Sequence, residues 1–225
     1  MNTKIRSDIE KIRYALLSHY GPLFWWPGNS PDEIAIGAIL TQNTAWKNVE
    51  KAINNMKKAT LLSFPAILQC DTTILAEAVR PSGYFNQKAK KLKILAKKVC
   101  QNGGKTITDF LKGKSTAAAR KQLLDIWGIG RETADSILLY ADNRRIFVVD
   151  AYTKRIFSRH GISAPDADYE IIRKMVENAV PADPAAYNEF HAGIVNLGKD
   201  FCHKQSPNCG ACPLKALNPL PGQLT

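Results

Sequence analysis

The sequence lacks any apolar run near the roughly 20 residues that a membrane-spanning helix requires. Its first residues, MNTKIRSDIEKIRYALL, are charged and helical in pattern, which excludes a secretory signal. The expectation is therefore a cytoplasmic protein with no membrane partner. Acidic residues are the scarcer charge, 20 against 31 Lys and Arg, giving a net +11. That balance suits a polyanionic partner. Cysteine is sparse and odd in number, five in 225 residues, and three of the five cluster near the C-terminal end. In a cytoplasmic chain such a cluster reads as a metal site before a disulfide framework. Strand patterns are almost absent, since the run 146–149 is too short to build a sheet. No internal repeat or low-complexity tract interrupts the chain.

Helical periodicity fills the rest. Ile5, Ile9, Ile12 and Leu16 form one stripe over residues 4–20. GPLFWWPGNSP follows, a loop in which Phe24 is expected to plug the core while Trp25 or Trp26 stacks on a base. Residues 34–56 read as helix, polar break (Thr41, Gln42, Asn43, Thr44) and helix, with Trp46 just inside the second. Residues 61–75 give short helices, and 81–99 a loop followed by a helix that holds six lysines between Lys88 and Lys98. Residues 168–180 and 186–198 supply two more helices.

The organising stretch is Leu123 to Arg155, LLDIWGIGRETADSILLYADNRRIFVVDAYTKR. Ser115 or Thr116 caps the helix before it. Gly128 and Gly130 allow a tight turn, and Ala134, Ile137, Leu138 and Ala141 mark one face of the next helix. Bare N–H groups at that helix start favour an anion, here a nucleic-acid phosphate. Asp150 follows a short apolar crossing. An aspartate there is ordinarily a helix cap, and it can also point at a substrate.

WGIGRETA followed by VVDAY resembles the helix-hairpin-helix and catalytic aspartate of the endonuclease III superfamily of DNA glycosylases. LTQNT is similar to the superfamily's LxxQxT element, and YNEFHAGIVNLGKDFC to the helix before its iron–sulfur loop. The resemblance covers residues 30–217. It implies an all-α fold of two helical lobes: a central lobe, 31–142, with the hairpin, and a second lobe, 1–30 plus 143–225, with the cysteine loop. It implies damaged double-stranded DNA as partner, a monomer, and a cleft with Gln42 and Asp150 on opposite lips. Gln42 is then the wedge that fills the space of an extruded nucleotide, with Asn43 beside it. Gly128, Gly130, Arg131 and Thr133 hold the DNA backbone, where a potassium, sodium or magnesium ion can join hairpin carbonyls to a phosphate. Asp150 stabilises the positive charge that grows on the sugar as the base leaves.

Two departures refine this reading. Bifunctional members carry a lysine where this chain has Glu132, and a carboxylate cannot form a Schiff base. A monofunctional enzyme is therefore expected, with Glu132 touching the base or paired at the surface, and Lys154 as the only nearby substitute amine. Trp25 or Trp26 with Trp46 resembles the base pocket of the 3-methyladenine glycosylases in this superfamily. An alkylated purine such as 3-methyladenine is the expected substrate, with oxidised pyrimidines, mispaired bases and a non-catalytic DNA-binding module as alternatives. The second departure is Cys202-x6-Cys209-x2-Cys212, after which the superfamily continues x5-Cys and this chain has Asn218. The resemblance implies a [4Fe–4S] cluster completed by Asn218, His203 or water; zinc bound with His203, a loop without metal, or a distant cysteine, Cys70 or Cys100, folding in are the alternatives.

Overall fold

The computed structural model describes residues 3–26 and 28–217 of the chain. Every regular element among them is helical, as the all-α expectation requires. The chain divides into two compact units, one made of 1–25 and 145–225, the other of 26–144.

The first unit contains α1 (Thr3–Tyr20), α10 (Ala151–Arg159), α11 (Tyr169–Ala179) and α12 (Pro184–Asp200). The stripe of α1 buries Ile9, Ile12 and Leu16 against α11 and α12. Close approach of α10 to α12 depends on Gly198, because a Cβ there would sit 2.2 Å from the Tyr152 ring. Phe24 departs from its expected place in the core. Its φ is +48°, its side chain is 86% exposed, and Glu189 accepts the amides of Leu23 and Phe24 at 2.6 and 2.7 Å. That carboxylate fixes the backbone, and the left-handed turn sends the ring outward.

The second unit holds α2 (Pro31–Leu40), α3 (Trp46–Lys58), α4 (Phe64–Gln69), α5 (Thr72–Ala78), α6 (Phe85–Val99), α7 (Ile107–Leu111), α8 (Thr116–Leu124) and α9 (Arg131–Ser136). Helix α2 is apolar on all sides and buries Ala35, Ile36, Ala38, Ile39 and Leu40, the pattern of a central core helix. Ser30 caps it by accepting the Glu33 amide at 3.2 Å, with Pro31 in the first turn. Ser115 caps α8 in the same way. Helix α9 continues into a π-helical turn, Ile137–Ala141. Ala134, Ile137, Leu138 and Ala141 are all buried there.

Candidate functional site

In the second unit the turn after α2 meets the hairpin between α8 and α9. Gly128 has φ +88°, and a Cβ on it would lie 2.6 Å from Cγ of Lys91. Glycine is needed at that position for two separate reasons. Gly130 differs: it is extended, and a Cβ would meet nothing within 4 Å among the described residues. Arg131 and Glu132 are exposed in the first turn of α9, while Thr133 is buried.

The Gln42 amide is committed at both ends. Its Nε2 donates to the Gly128 carbonyl at 3.1 Å and to Thr133 Oγ1 at 2.9 Å, and its Oε1 accepts from Lys91 Nζ. Asn43 beside it is left-handed, φ +52°, a conformation asparagine tolerates better than most residues. Beneath the turn lies Lys88, which is 2% exposed. Its ammonium donates to Leu40 O at 2.7 Å and to Thr44 Oγ1 and Ser82 O at 2.6 Å. Three donors meet three acceptors, so the buried charge is fully hydrogen-bonded. Two lysines one turn apart on α6 thus hold the turn from below and from its tip. From the sequence, α6 shows only a basic face, because exposure and burial of individual lysines follow from packing.

Burial, with a smaller contribution from Lys91, pushes the Lys88 ammonium down to about 8. In an unfolded chain the group titrates at about 10.4. Between these values the unfolded state binds more protons, so this group makes stability rise with pH across that window. The expected result is a Lys88 Nζ resonance that titrates near pH 8, and a stability profile that is flatter in Lys88→Met. A resonance that titrates above pH 10 would refute this.

The aromatic residues fall into separate units. Trp25 belongs to the first, where Lys199 Nζ lies 5.3 Å from its ring. Trp26 belongs to the second, where its ring meets Trp46 edge-on at 5.3 Å and Tyr140 at 4.9 Å with a 33° tilt. Trp26 and Trp46 are in direct edge-to-face contact, so no base-wide slot separates them. Trp46 also lines a cavity of about 330 Å³ with Glu33, Gly37, Glu50, Asn54 and Lys57. Trp46 Nε1 donates to Glu50 at 2.9 Å, and Lys57 pairs with Glu33 at 2.9 Å.

In the first unit Asp150 is the N-cap of α10. Its Oδ1 accepts the Thr153 amide at 2.7 Å and the Thr153 hydroxyl at 2.9 Å. Oδ2 faces Nε2 of His191 at 3.6 Å, and both side chains are largely buried. Burial alone would raise the carboxyl. His191 and Thr153 outweigh it, and the net effect holds Asp150 below the usual carboxylate range. Asp150 therefore stays ionised at neutral pH while shielded from water. His191 was not legible from sequence: on the apolar helix α12 it reads as an ordinary core histidine. Lys154 donates to the Ala167 carbonyl at 3.4 Å.

The cysteine loop is fastened to α10 by two arginines. Arg155 donates to the carbonyls of Cys202 and Gly198, at 2.8 and 3.2 Å. Arg159 donates to Cys202 Sγ at 3.2 Å and to the His203 and Lys204 carbonyls at 2.7 and 3.1 Å. Cys202, Cys209 and Cys212 line one mostly apolar cavity together with His160. Leu214 N–H points at Cys212 Sγ, 3.4 Å away, and burial, then Cys202 and Cys209, push the Cys212 thiol up. Among the described residues no three His, Cys, Asp or Glu side chains are placed to hold a single metal ion. A lone zinc needs its ligands within about 2.0–2.3 Å of one point, whereas a four-iron cluster spreads its ligands over four metals. Cys202 Sγ and Cys212 Sγ each face one N–H donor, from Arg159 and Leu214. His203, expected as a zinc ligand, is exposed and does not line the cavity. Position 218, where Asn218 was expected to serve, lies outside the described residues.

Known proteins share this architecture. A protein of Methanocaldococcus jannaschii, whose name assigns it provisionally to the DNA repair glycosylases, is 49% identical over 207 residues, 92% of this chain and 94% of its own. The crystal structure of the Helicobacter pylori 3-methyladenine DNA glycosylase bound to 1,N6-ethenoadenine superposes with a TM-score of 0.73 at 30% identity, covering 85% of this chain and 97% of that one. A trapped endonuclease III–DNA covalent intermediate superposes at 0.80 with 19% identity, covering 96% of each chain, a likeness of fold. The profile of the HhH-GPD superfamily base excision DNA repair proteins matches residues 36–182. With hairpin, aspartate-capped helix and helical architecture all in place, the chain belongs to the HhH-GPD superfamily, as a DNA glycosylase of the endonuclease III family.

Proposed function

We propose that this glycosylase is monofunctional and removes a cationic alkylated purine, 3-methyladenine or a close analogue, from double-stranded DNA. The observation that carries the reading is Asp150, an ionised carboxylate kept largely dry by its surroundings. Cleaving the N-glycosidic bond builds positive charge on the deoxyribose, and a pre-placed anion in a low-dielectric site stabilises that charge without reorganisation. Extruding the base costs a few kcal/mol, least when the base is damaged. Gln42 offsets that cost as the wedge, and Gly128, Gly130, Arg131 and Thr133 position the backbone. Because Gln42 is held by the hairpin and by Lys91, insertion exchanges those bonds for bonds to DNA.

Two features support a cationic substrate. Trp46 lines a cavity that also carries Glu33 and Glu50 against the single cation Lys57, which is paired with Glu33, and the remaining carboxylate beside the indole favours a positively charged ring. The Helicobacter relative at 30% identity is a 3-methyladenine glycosylase. A 3-methyladenine cation already leaves readily, so little acid catalysis is required of the protein. Glu132 at the hairpin position supports a single activity, since it offers no amine for an imine. Cys202, Cys209 and Cys212 are the chain's own ligands for a [4Fe–4S] cluster, whose contribution is structural: it fixes the loop carrying Lys204 and Lys215. The enzyme acts as a monomer.

The test is chromatography of bases released from methylated duplex DNA, with borohydride trapping run in parallel. Release of 3-methyladenine without a covalent protein–DNA adduct is expected. Release with an adduct would end the monofunctional reading, and Lys154→Met would show whether that amine is responsible. Release only from mismatched or oxidised duplexes would end the substrate reading alone.

A further inference from the structure

The sequence leaves the cysteine loop one ligand short, and the structure supplies a residue in the right place. His160 is the C-cap of α10, directly after Arg159, whose guanidinium reaches Cys202 Sγ. His160 lines the same cavity as Cys202, Cys209 and Cys212. Its Nδ1 is shielded from solvent and finds no hydrogen-bond partner among the described residues. The Leu217 backbone lies beside the ring. Leu217 is the residue immediately before 218, where the superfamily places its fourth cysteine. The imidazole thus shares the cavity of the three thiols and lies beside Leu217.

We infer that His160 is the fourth protein ligand of an iron–sulfur cluster in this chain, binding through Nδ1 and completing a Cys3His set with Cys202, Cys209 and Cys212. This rests on the cluster reading given above and deepens it. A metal-bound imidazole characteristically donates its second ring N–H to a backbone carbonyl or carboxylate, which fixes the tautomer and aims the other nitrogen. The Leu217 backbone beside the His160 ring is available as that outer partner. His203 lacks these features: it is exposed, and what it offers Arg159 is a backbone carbonyl. Histidine for cysteine also removes one negative charge from the ligand set, which raises a cluster's reduction potential.

The full-length protein is reconstituted anaerobically with ferrous iron and sulfide, reduced, and examined by iron and sulfide analysis and by pulsed EPR. Four irons and four sulfides per chain are expected, with a nitrogen coupling to the cluster that changes when histidine is labelled with 15N. The coupling should persist in His203→Ala and in Asn218→Ala. In His160→Cys the cluster should remain, the coupling should vanish, and the potential should fall. A full cluster without nitrogen coupling in the parent protein overturns the assignment of His160 and leaves the cluster reading standing. A coupling that disappears in His203→Ala also overturns it. A folded protein that takes up no cluster, or takes up zinc alone, overturns both. The labelled parent protein decides between these outcomes even if a His160 variant fails to fold, and none of them depends on which base is excised.

Discussion

Asp150→Asn is expected to lower the single-turnover rate of base release by about 10²–10³-fold, the range for loss of one preorganised electrostatic partner. The effect should fall on the chemical step, with DNA affinity nearly unchanged. The reason is the division of labour between the two carboxylate oxygens. Oδ1 is spent on the helix cap, where it accepts from the Thr153 amide and hydroxyl, and an asparagine oxygen caps a helix about as well as an aspartate. Oδ2 faces His191 and retains the charge that the sugar would meet. The amide substitution keeps the first role and removes the second. The capped helix should therefore persist, with stability at neutral pH lowered only by the charge contribution described below, while activity collapses. A variant that is largely unfolded under assay conditions would assign Asp150 a structural role instead. The acid limb offers a further check. Asp150 is depressed in the folded state, so its contribution to stability is complete above the unfolded value of about 3.9 and is lost as pH falls through the lower folded value. The Asn variant should show a shallower loss of stability in acid than the parent.

Arg120→Met is expected to destabilise the protein by about 3–5 kcal/mol, the usual cost of stranding one member of a buried ion pair. Arg120 on α8 grips Asp135 on α9 through two bonds, Nε to Oδ1 at 2.7 Å and Nη2 to Oδ2 at 3.1 Å. Asp135 is fully buried, and Arg120 is 16% exposed at the side chain. The pair joins the two helices of the hairpin, so it sets the angle at which Gly128 and Gly130 are presented. Replacing both partners by apolar residues should recover much of the loss, because neither charge is then left without its counterpart. Chemical denaturation of the two single variants and the double variant measures this directly. A double variant as unstable as Arg120→Met would show that the shape of the hairpin helices, and not the uncompensated charge, carries the cost. Duplex affinity in the double variant reports separately on the hairpin's geometry.

Several features of the site were legible because they are local. Gly128 is recognisable since a tight turn with a left-handed backbone favours glycine. Asp150 is recognisable as a cap because capping needs only Thr153, three residues on. Gln42 stands out in a polar break after an apolar helix, although nothing local shows that its amide is already bound to Gly128, Thr133 and Lys91. The tryptophans were legible as candidates but not as a group. Adjacent in sequence, Trp25 and Trp26 fall in different compact units, and only Trp26 meets Trp46 within its own unit. Phe24 misled for the same reason: a large aromatic between prolines reads as core until Glu189, 165 residues away, is seen to hold its amide.

By itself the sequence determined the helical class, the hairpin, the capping aspartate and the incomplete cysteine set, all features whose determinants lie within a turn or two of chain. Periodicity, caps and glycine conformations act over a few residues, so they can be read without knowing the fold. Tertiary structure alone decided which side chains of different helices share one environment. It placed Lys88 under the Gln42 turn, 48 positions along the chain from the Leu40 carbonyl it binds, His191 against Asp150, and His160 in the cavity of the three thiols. None of these partners has a signature in the sequence, because a buried lysine or histidine is distinguished from a solvated one by its neighbours in space.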